Sequence, residues 1–313
     1  MVLHRYRAFG LEIVSEIALP MFAPGEADQI DVEILLAPVS ANPKDAETIR
    51  FRSWIAKPGM MVLDVPDVAR FRIEGGKRIF VDLAEGSAPS KTVPLLQGSA
   101  LAAILQQRRQ LPMHAGAIET SRGAMLLIGT SGVGKSTLTN AFVQRGYRMM
   151  CDDVAPVSLD QAGRPQAVSG FPGSRLWRDS VQYFGHDVSK LTKAHDDLEK
   201  YYVIAEDWCD KTLPVAAVVV LHAAANGTAR IEEIEPAERV RWLLRYSFRR
   251  KFLNGFKLND MQFHMVSAMA AQAEMVRLVR PSIGAPAAEL AELLECTLAV
   301  EPAQDSARVG ASA

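Results

Sequence analysis

The stretch GTSGVGKST, residues 129–137, decides the fold. Gly129, Thr130, Ser131, Gly132, Val133 and then Gly134-Lys135-Ser136-Thr137 match the spacing of a phosphate-binding loop. The flanks agree. AMLLI before it reads as a strand, and STLTNAFVQRG after it reads as a helix closed by Gly146. Glycines let successive backbone N–H groups point at phosphate oxygens, and the helix N-terminus adds unpaired donors and a favourable dipole. Lys135 is expected to reach the β- and γ-phosphates of a nucleotide, and the Ser136 hydroxyl to ligate Mg²⁺. The bland alternative is a glycine-rich turn with no ligand. It does not explain why Lys-Ser, strand and helix all sit in their places.

Around that loop the chain is ordinary. It has 313 residues, 49% hydrophobic and 23% charged, with a net charge of −1. That length suits two domains, with core enough to fold without disulfides. The charge balance speaks against nucleic acid or an anionic membrane as partner. Cys151, Cys209 and Cys296 show no metal or redox spacing and read as reduced thiols. The N-terminus lacks the basic-then-apolar pattern of a leader. The strongest apolar run, LPVAAVVVLHAAA (213–225), suits a buried strand and is too short to span a membrane. A cytoplasmic protein is the expectation.

Residues 1–92 read as a β-rich, antiparallel N-terminal domain without visible chemistry. LEIVSEI, QIDVEILLA, GMMVLDV, ARFRIEG and KRIFVDLA alternate, with turn residues between them. Residues 93–109 fit a helix with Pro94 in its first turn. From 93 to 300 the pattern is α/β. AGAIE and AMLLI flank TSRG (120–123) as a tight hairpin. YRMMC is a strand, and SRLWRDSVQYFG (174–185) is expected as a helix. YYVIA, VAAVVVLHA, ARIEEIE and EMVRLVR follow as strands, with PAERVRWLLRYSFRR and APAAELAELLECTL as helices. HDVSKLTKAHDD (186–197) reads as a loop, NGFKLND (254–260) as a turn, and 301–313 as a frayed tail.

Three side chains carry the chemistry around the loop. In CDD, Asp152 and Asp153 end a strand, and a right-handed crossover puts that end on the same sheet edge as the phosphate loop. Adjacent residues of a strand alternate faces, so the two carboxylates have different jobs. One can hold Mg²⁺ and the other can accept a proton, or merely cap a loop. If Thr120 and Gly123 flank a two-residue turn, pairing carries His114 opposite Gly129, beside the phosphates. There it can orient a carboxylate or contact an acceptor, although a histidine in an apolar strand is more often structural.

MHAGAIE, GTSGVGKST and RGYRMMCDD, in that order and spacing over about residues 111–154, resemble the catalytic core of the HPr serine kinase/phosphorylase family. More loosely, over residues 1–300, the chain resembles HPr-kinase-related kinases of bacterial peptide clusters, including lasso-peptide kinases. The resemblance implies a phosphate-loop kinase domain of the HPr-kinase/PEP-carboxykinase-like type. It implies ATP and Mg²⁺ as cofactors, and a peptide or protein serine as acceptor. Asp152 would be the general base, His114 its support and Asp153 a Mg²⁺ ligand. The sequence leaves open whether the two aspartates are exchanged. It also leaves open a homo-oligomer, since the HPr enzymes form rings. The family's Glu-Ile-Arg-Gly segment is absent; SRLWRDSVQ stands there, with Asp179 as the candidate replacement. No phosphorylase signature is present, so a kinase alone is expected, and HPr is not the expected substrate.

Two other function classes fit the loop. An ATPase or switch would carry a water-positioning residue or a guanine reader, but TKAH (192–195) has the wrong fourth residue, and no DxxG or LSGGQ follows. A binding scaffold without turnover has no need of an intact Lys135, Ser136, Asp152 and Asp153. Free serine remains open as an acceptor. Arg175, Arg178, Lys200 and Arg249-Arg250-Lys251 are weaker candidates for charge stabilisation. Trp177, Trp208 and Trp242 read as core.

Overall fold

The computed structural model describes residues 2–40, 48–194, 198–282 and 285–303. The expected tail beyond residue 303, and residues 195–197 of the expected loop, lie outside the described residues.

The N-terminal part is a nine-stranded sheet. Its strands are β1 (His4–Ala8), β2 (Leu11–Ser15), β3 (Ala23–Pro24), β4 (Val32–Leu36), β5 (Ile49–Arg50), β6 (Trp54–Lys57), β7 (Met60–Val65), β8 (Ala69–Glu74) and β9 (Arg78–Leu83). They are ordered β3-β1-β2-β4-β9-β8-β7-β6-β5. The sheet is mixed, which corrects the antiparallel expectation. β4 pairs in parallel with both β2 and β9. Alternation along a strand reports which faces are buried; it carries no information on the direction of the partner. A long helix covers the sheet: α1 (Pro89–Leu95), a π turn (Leu96–Ala100) and α2 (Leu101–Gln107). The proline at its first turn is Pro89, and Pro94 lies inside it. A proline cannot donate to the residue four before it, and the backbone widens into the π turn just after Pro94. Leu96, Leu101 and Ile104 share a core with Ile34, Phe71 and Ile79 of the sheet.

The second part is α/β with both sheet faces covered. Its first strands are β10 (Leu111–Met113), β11 (Ala115–Thr120), β12 (Gly123–Gly129), β13 (Met149–Cys151), β14 (Ala155–Leu159) and β15 (Pro165–Ala167). β16 (Gly173–Trp177) and β17 (Lys200–Ile204) form a separate two-stranded ribbon. β18 (Leu213–Ala224), β19 (Arg230–Glu233) and β20 (Glu274–Pro281) complete the set. β12, β18 and β20 run parallel to one another, as Ile128↔Val220↔Arg277 shows. On one face pack α3 (Lys135–Gln144) and, from the end of the chain, α8 (Ala287–Leu298). On the other pack α5 (Pro236–Tyr246) and α7 (Asn259–Gln272). Between these in sequence lie α4 (Arg178–Tyr183) and α6 (Lys251–Phe256). β12 shows why AMLLI has no polar residue: Leu126 and Ile128 enter the α5/α7 core, and Met125 and Leu127 enter the α3/α8 core. Among the described residues no helix is long and apolar enough to cross a membrane.

Two local readings are corrected. SRLWRDSVQYFG is half strand: Ser174–Trp177 pairs with β17, and the helix starts at Arg178. NGFKLND is not a single turn. α6 runs to Phe256, Lys257 takes a left-handed φ of 58°, and α7 begins at Asn259. α7 is not among the helices expected from the sequence, although its sequence carries a helical signal. Met261, Met265 and Met269 are four apart and all buried. α3 ends as expected, with N–H groups of Gly146 and Tyr147 on the carbonyls of Val143 and Phe142.

The TSRG hairpin sets the register of the site. Thr120 pairs with Gly123 and Ala115 with Ile128, which leaves His114 at the level of Gly129. Gly123 holds φ 125°, and a Cβ there would stand 2.5 Å from the Pro214 carbonyl oxygen. Gly123→Ala is expected to cost about 1–3 kcal/mol, read as a lowered melting temperature. Wild-type stability would mean that the turn does not hold the register.

Candidate active site

Gly132 and Gly134 adopt φ of 79° and 101°, values open to glycine, and so turn the loop from β12 into α3. Lys135 follows at the first position of the helix. Its ammonium donates to the Gly129 carbonyl (2.9 Å), the Thr130 carbonyl (3.2 Å) and His114 Nε2 (3.1 Å). An ammonium only donates, so Nε2 accepts and the ring proton sits on Nδ1. Nδ1 faces Asp153, 3.2 Å from Oδ1 and 3.2 Å from the main-chain oxygen. The second carboxylate oxygen of Asp153 takes an ion pair from Arg175. Arg175 stands on β16, whose Ser174 is held to α3 through Asn140. Asn140 in turn donates to the Ser136 carbonyl.

The two aspartates live in different environments. Asp152 is 4% exposed. Its pKa is pushed up to about 6 by burial and by the Asp153 charge, against the Ser136 hydroxyl and the Arg175 backbone N–H. Oδ2 receives that N–H at 3.4 Å, and the buried Oδ1 has no partner. Asp153 is 28% exposed at the side chain. Burial would raise its pKa, but the His114 hydrogen bond and the charges of Arg175 and Lys135 hold it well below the usual carboxylate range. Burial lowers the pKa of Lys135, and both aspartates oppose that shift. The sequence reading pairs His114 with Asp152 as the supported base. The structure brings His114 to Asp153, because the strand end turns the Asp152 side chain inward toward Ser136.

A cleft of about 310 Å³ gathers His114, Lys135, Ser136, Asp152, Asp153 and Arg175. Lys200 joins them from β17, its ammonium 4.6 Å above the Trp177 ring. Trp177 is 48% exposed, which corrects its assignment to the core. Lys200 was a weak candidate from the sequence and Trp177 none; the pairing of β16 with β17 makes them neighbours. Arg178 turns away to pair with Glu199. Asp179 does not join the carboxylates either. It lines a second cleft of about 310 Å³ behind the loop, with Thr137, Leu138, Tyr183 and Arg280. A Mg²⁺ site of the phosphate-loop kind needs one or two carboxylates and a hydroxyl beside the substrate phosphates. Ser136 and the unpartnered Oδ1 of Asp152 fit that need.

No family model matches the chain, and no curated protein matches it. Among solved structures it is similar to the Hpr(Ser) kinase/phosphatase from Coxiella burnetii. The match covers 59% of this chain and 95% of that chain, at 14% identity and a TM-score of 0.28. So loose a superposition carries no residue role across.

The raised pKa of Asp152 has a stability consequence. A folded-state value above the unfolded one means that the native protein holds the extra proton, so stability falls as pH rises from about 4 to about 6. Without nucleotide or divalent cation, Asp152→Asn is expected to remove that fall and to stabilise the protein by about 2 kcal/mol above pH 6. Melting curves across this range check it. Parallel curves for the two proteins would mean that the carboxylate is not held against its charge.

Proposed function

We propose that this protein is an ATP-dependent kinase that transfers the γ-phosphoryl group to a serine hydroxyl of a peptide or protein. The observation that supports it best is the set of groups meeting in one cleft. They are a phosphate loop with its lysine, an inward carboxylate with a free oxygen, and a charged carboxylate held by a histidine and an arginine. An oriented carboxylate can also position water, so transfer to a serine peptide against release of free phosphate is what separates kinase from ATPase. The resemblance of residues 111–154 to the HPr serine kinases supports the same reading, and the lasso-peptide variant of it belongs to the acceptor question.

In this reading the loop amides and Lys135 bind the triphosphate. Lys135 exchanges the Gly129 and Thr130 carbonyls and His114 for phosphate oxygens, and His114 Nε2 is then freed toward the acceptor. The apolar cleft behind the loop receives the nucleoside. Ser136 and Asp152 hold Mg²⁺, which when bound neutralises charge on the phosphate oxygens. Asp153 takes the proton of the acceptor hydroxyl as the oxygen bonds to phosphorus and the bond to the ADP oxygen breaks. The geometry therefore favours exchanging the two aspartate roles that the resemblance implies. Asp153 is a weak base in the ground state, but in a loose transition state the hydroxyl loses its proton late. Arg175 and Lys200 face the oxygens of the moving group, where positive charge lowers the barrier.

The test uses γ-labelled ATP, Mg²⁺ and serine peptides, with products followed by mass spectrometry. Wild type is expected to add one phosphate to serine. Asp153→Asn should lose about 100-fold or more in transfer while keeping Mg·ATP affinity within a few-fold. Asp152→Asn should lose the stabilisation that Mg²⁺ adds to bound nucleotide. Lys135→Ala should weaken both nucleotide binding and turnover. Release of free phosphate alone, with peptides and free serine both unmodified, would replace the kinase by an ATPase. Normal transfer by Asp153→Asn would return the base to Asp152.

A further inference from the structure

The cations at 245–251 belong to no part of the nucleotide cleft. They line a groove of about 390 Å³ between the N-terminal sheet and the segment that links α5 to α6. Arg245, Arg249, Arg250 and Lys251 stand along it with Phe248 and Trp54, and none of the described lining residues is acidic. Among the described residues none of the four cations has a carboxylate partner within ion-pair distance. Three of them sit over rings instead: Arg245 near Trp242 and Tyr246, Arg249 over Phe248 at 5.3 Å, and Lys251 over Phe51 at 5.7 Å. Phe51 stacks on Trp54 at 4.6 Å and is 43% exposed. Four like charges gathered on an aromatic floor repel one another. Such a patch gains most from an anionic occupant.

The groove leads to the reacting side of the cleft. The Phe248 N–H donates to the Pro112 carbonyl and the His114 N–H to the Tyr246 carbonyl, so residues 246–248 run as a short strand beside 112–114. The Phe248 ring lies 5.8 Å from the His114 ring. Burial lowers the pKa of Arg249, and Asp153, which is hydrogen-bonded to His114, is the carboxylate whose charge opposes that shift. Arg249 takes a left-handed φ of 52°, and the buried Gln106 amide donates to the carbonyls of Phe248 and Arg249. In the kinase reading, an occupant of the groove is therefore one ring away from the Asp153 carboxylate.

We propose that this groove docks an acidic peptide, whose carboxylates the cations hold while its serine enters the cleft beside His114. The proposal rests on the kinase reading and gives it an acceptor class. A peptide is favoured over a compact anion because cations and rings run from Phe51, beside β6 of the N-terminal sheet, through Lys251, Arg249 and Phe248 to His114. That is a path for a chain rather than a single point. It also gives the N-terminal sheet a task, as one wall of the acceptor site.

The experiment compares three labelled peptides with one serine flanked by glutamates, glutamines or lysines. Binding is read by fluorescence anisotropy without nucleotide, and transfer is read separately with Mg·ATP. The glutamate peptide is expected to bind at least about tenfold tighter than the glutamine one, with an affinity that falls as salt rises. The triple variant Arg245→Glu, Arg250→Glu, Lys251→Glu should abolish that preference while keeping Mg·ATP affinity. The milder Arg250→Gln, Lys251→Gln should halve it or more if the triple variant misfolds. Equal binding of all three peptides, or an unchanged preference in both variants, would overturn the groove even if a serine is phosphorylated. Citrate or inorganic phosphate binding to the wild-type groove with no peptide bound would overturn the peptide in favour of a small anion. Tight, cation-dependent binding of the glutamate peptide with no transfer to any peptide would leave the groove standing and remove the kinase.

Discussion

The register of one hairpin organises this protein. Because Thr120 faces Gly123 across a two-residue turn, the strand that enters the hairpin reaches the level of Gly129 at His114. The strand that leaves it delivers the phosphate loop. Ladder pairing has a period of two, so a slip by one residue would send His114 to the other face of the sheet. Everything that touches His114 inherits this register: Lys135 on one ring nitrogen, Asp153 on the other, and Phe248 against the ring.

On that frame the site divides one pair of like charges into two chemical states. Asp153 keeps its charge because a histidine and an arginine face it. Asp152 is held against its charge because it is buried with one oxygen unpartnered. Such a carboxylate destabilises the fold and persists where a ligand completes it. The arginine that settles the matter comes from a ribbon outside the main sheet. Asn140 couples that ribbon to the helix behind the phosphate loop. Movement of the β16–β17 ribbon would therefore alter the charge on both aspartates and the position of Lys200 together.

The N-terminal sheet has no catalytic group of its own. Its edge strands nevertheless meet the α5–α6 link, and Gly255 of α6 packs so tightly on Ala56 that a Cβ there would lie 2.5 Å from the alanine Cβ. The groove beside this contact has one wall from each part of the chain, whereas the cleft at Lys135 is lined mainly by the second part.

Local grammar determined much. Gly129 to Thr137, the TSRG turn and Gly146 each act through neighbours a few residues away. Their structures follow from backbone freedom and hydrogen-bond reach. Two adjacent aspartates suggested two environments, though they lie in a bend just past the end of β13 rather than on the strand. Which aspartate met which face was decided by tertiary structure, since it depends on how α3 and β16 close over the strand end. The mixed sheet, the strand within SRLW, the Lys200–Trp177 pair and the cation groove share that origin. Each joins residues far apart in the chain, and alternation or charge along one segment records burial without naming the partner that causes it.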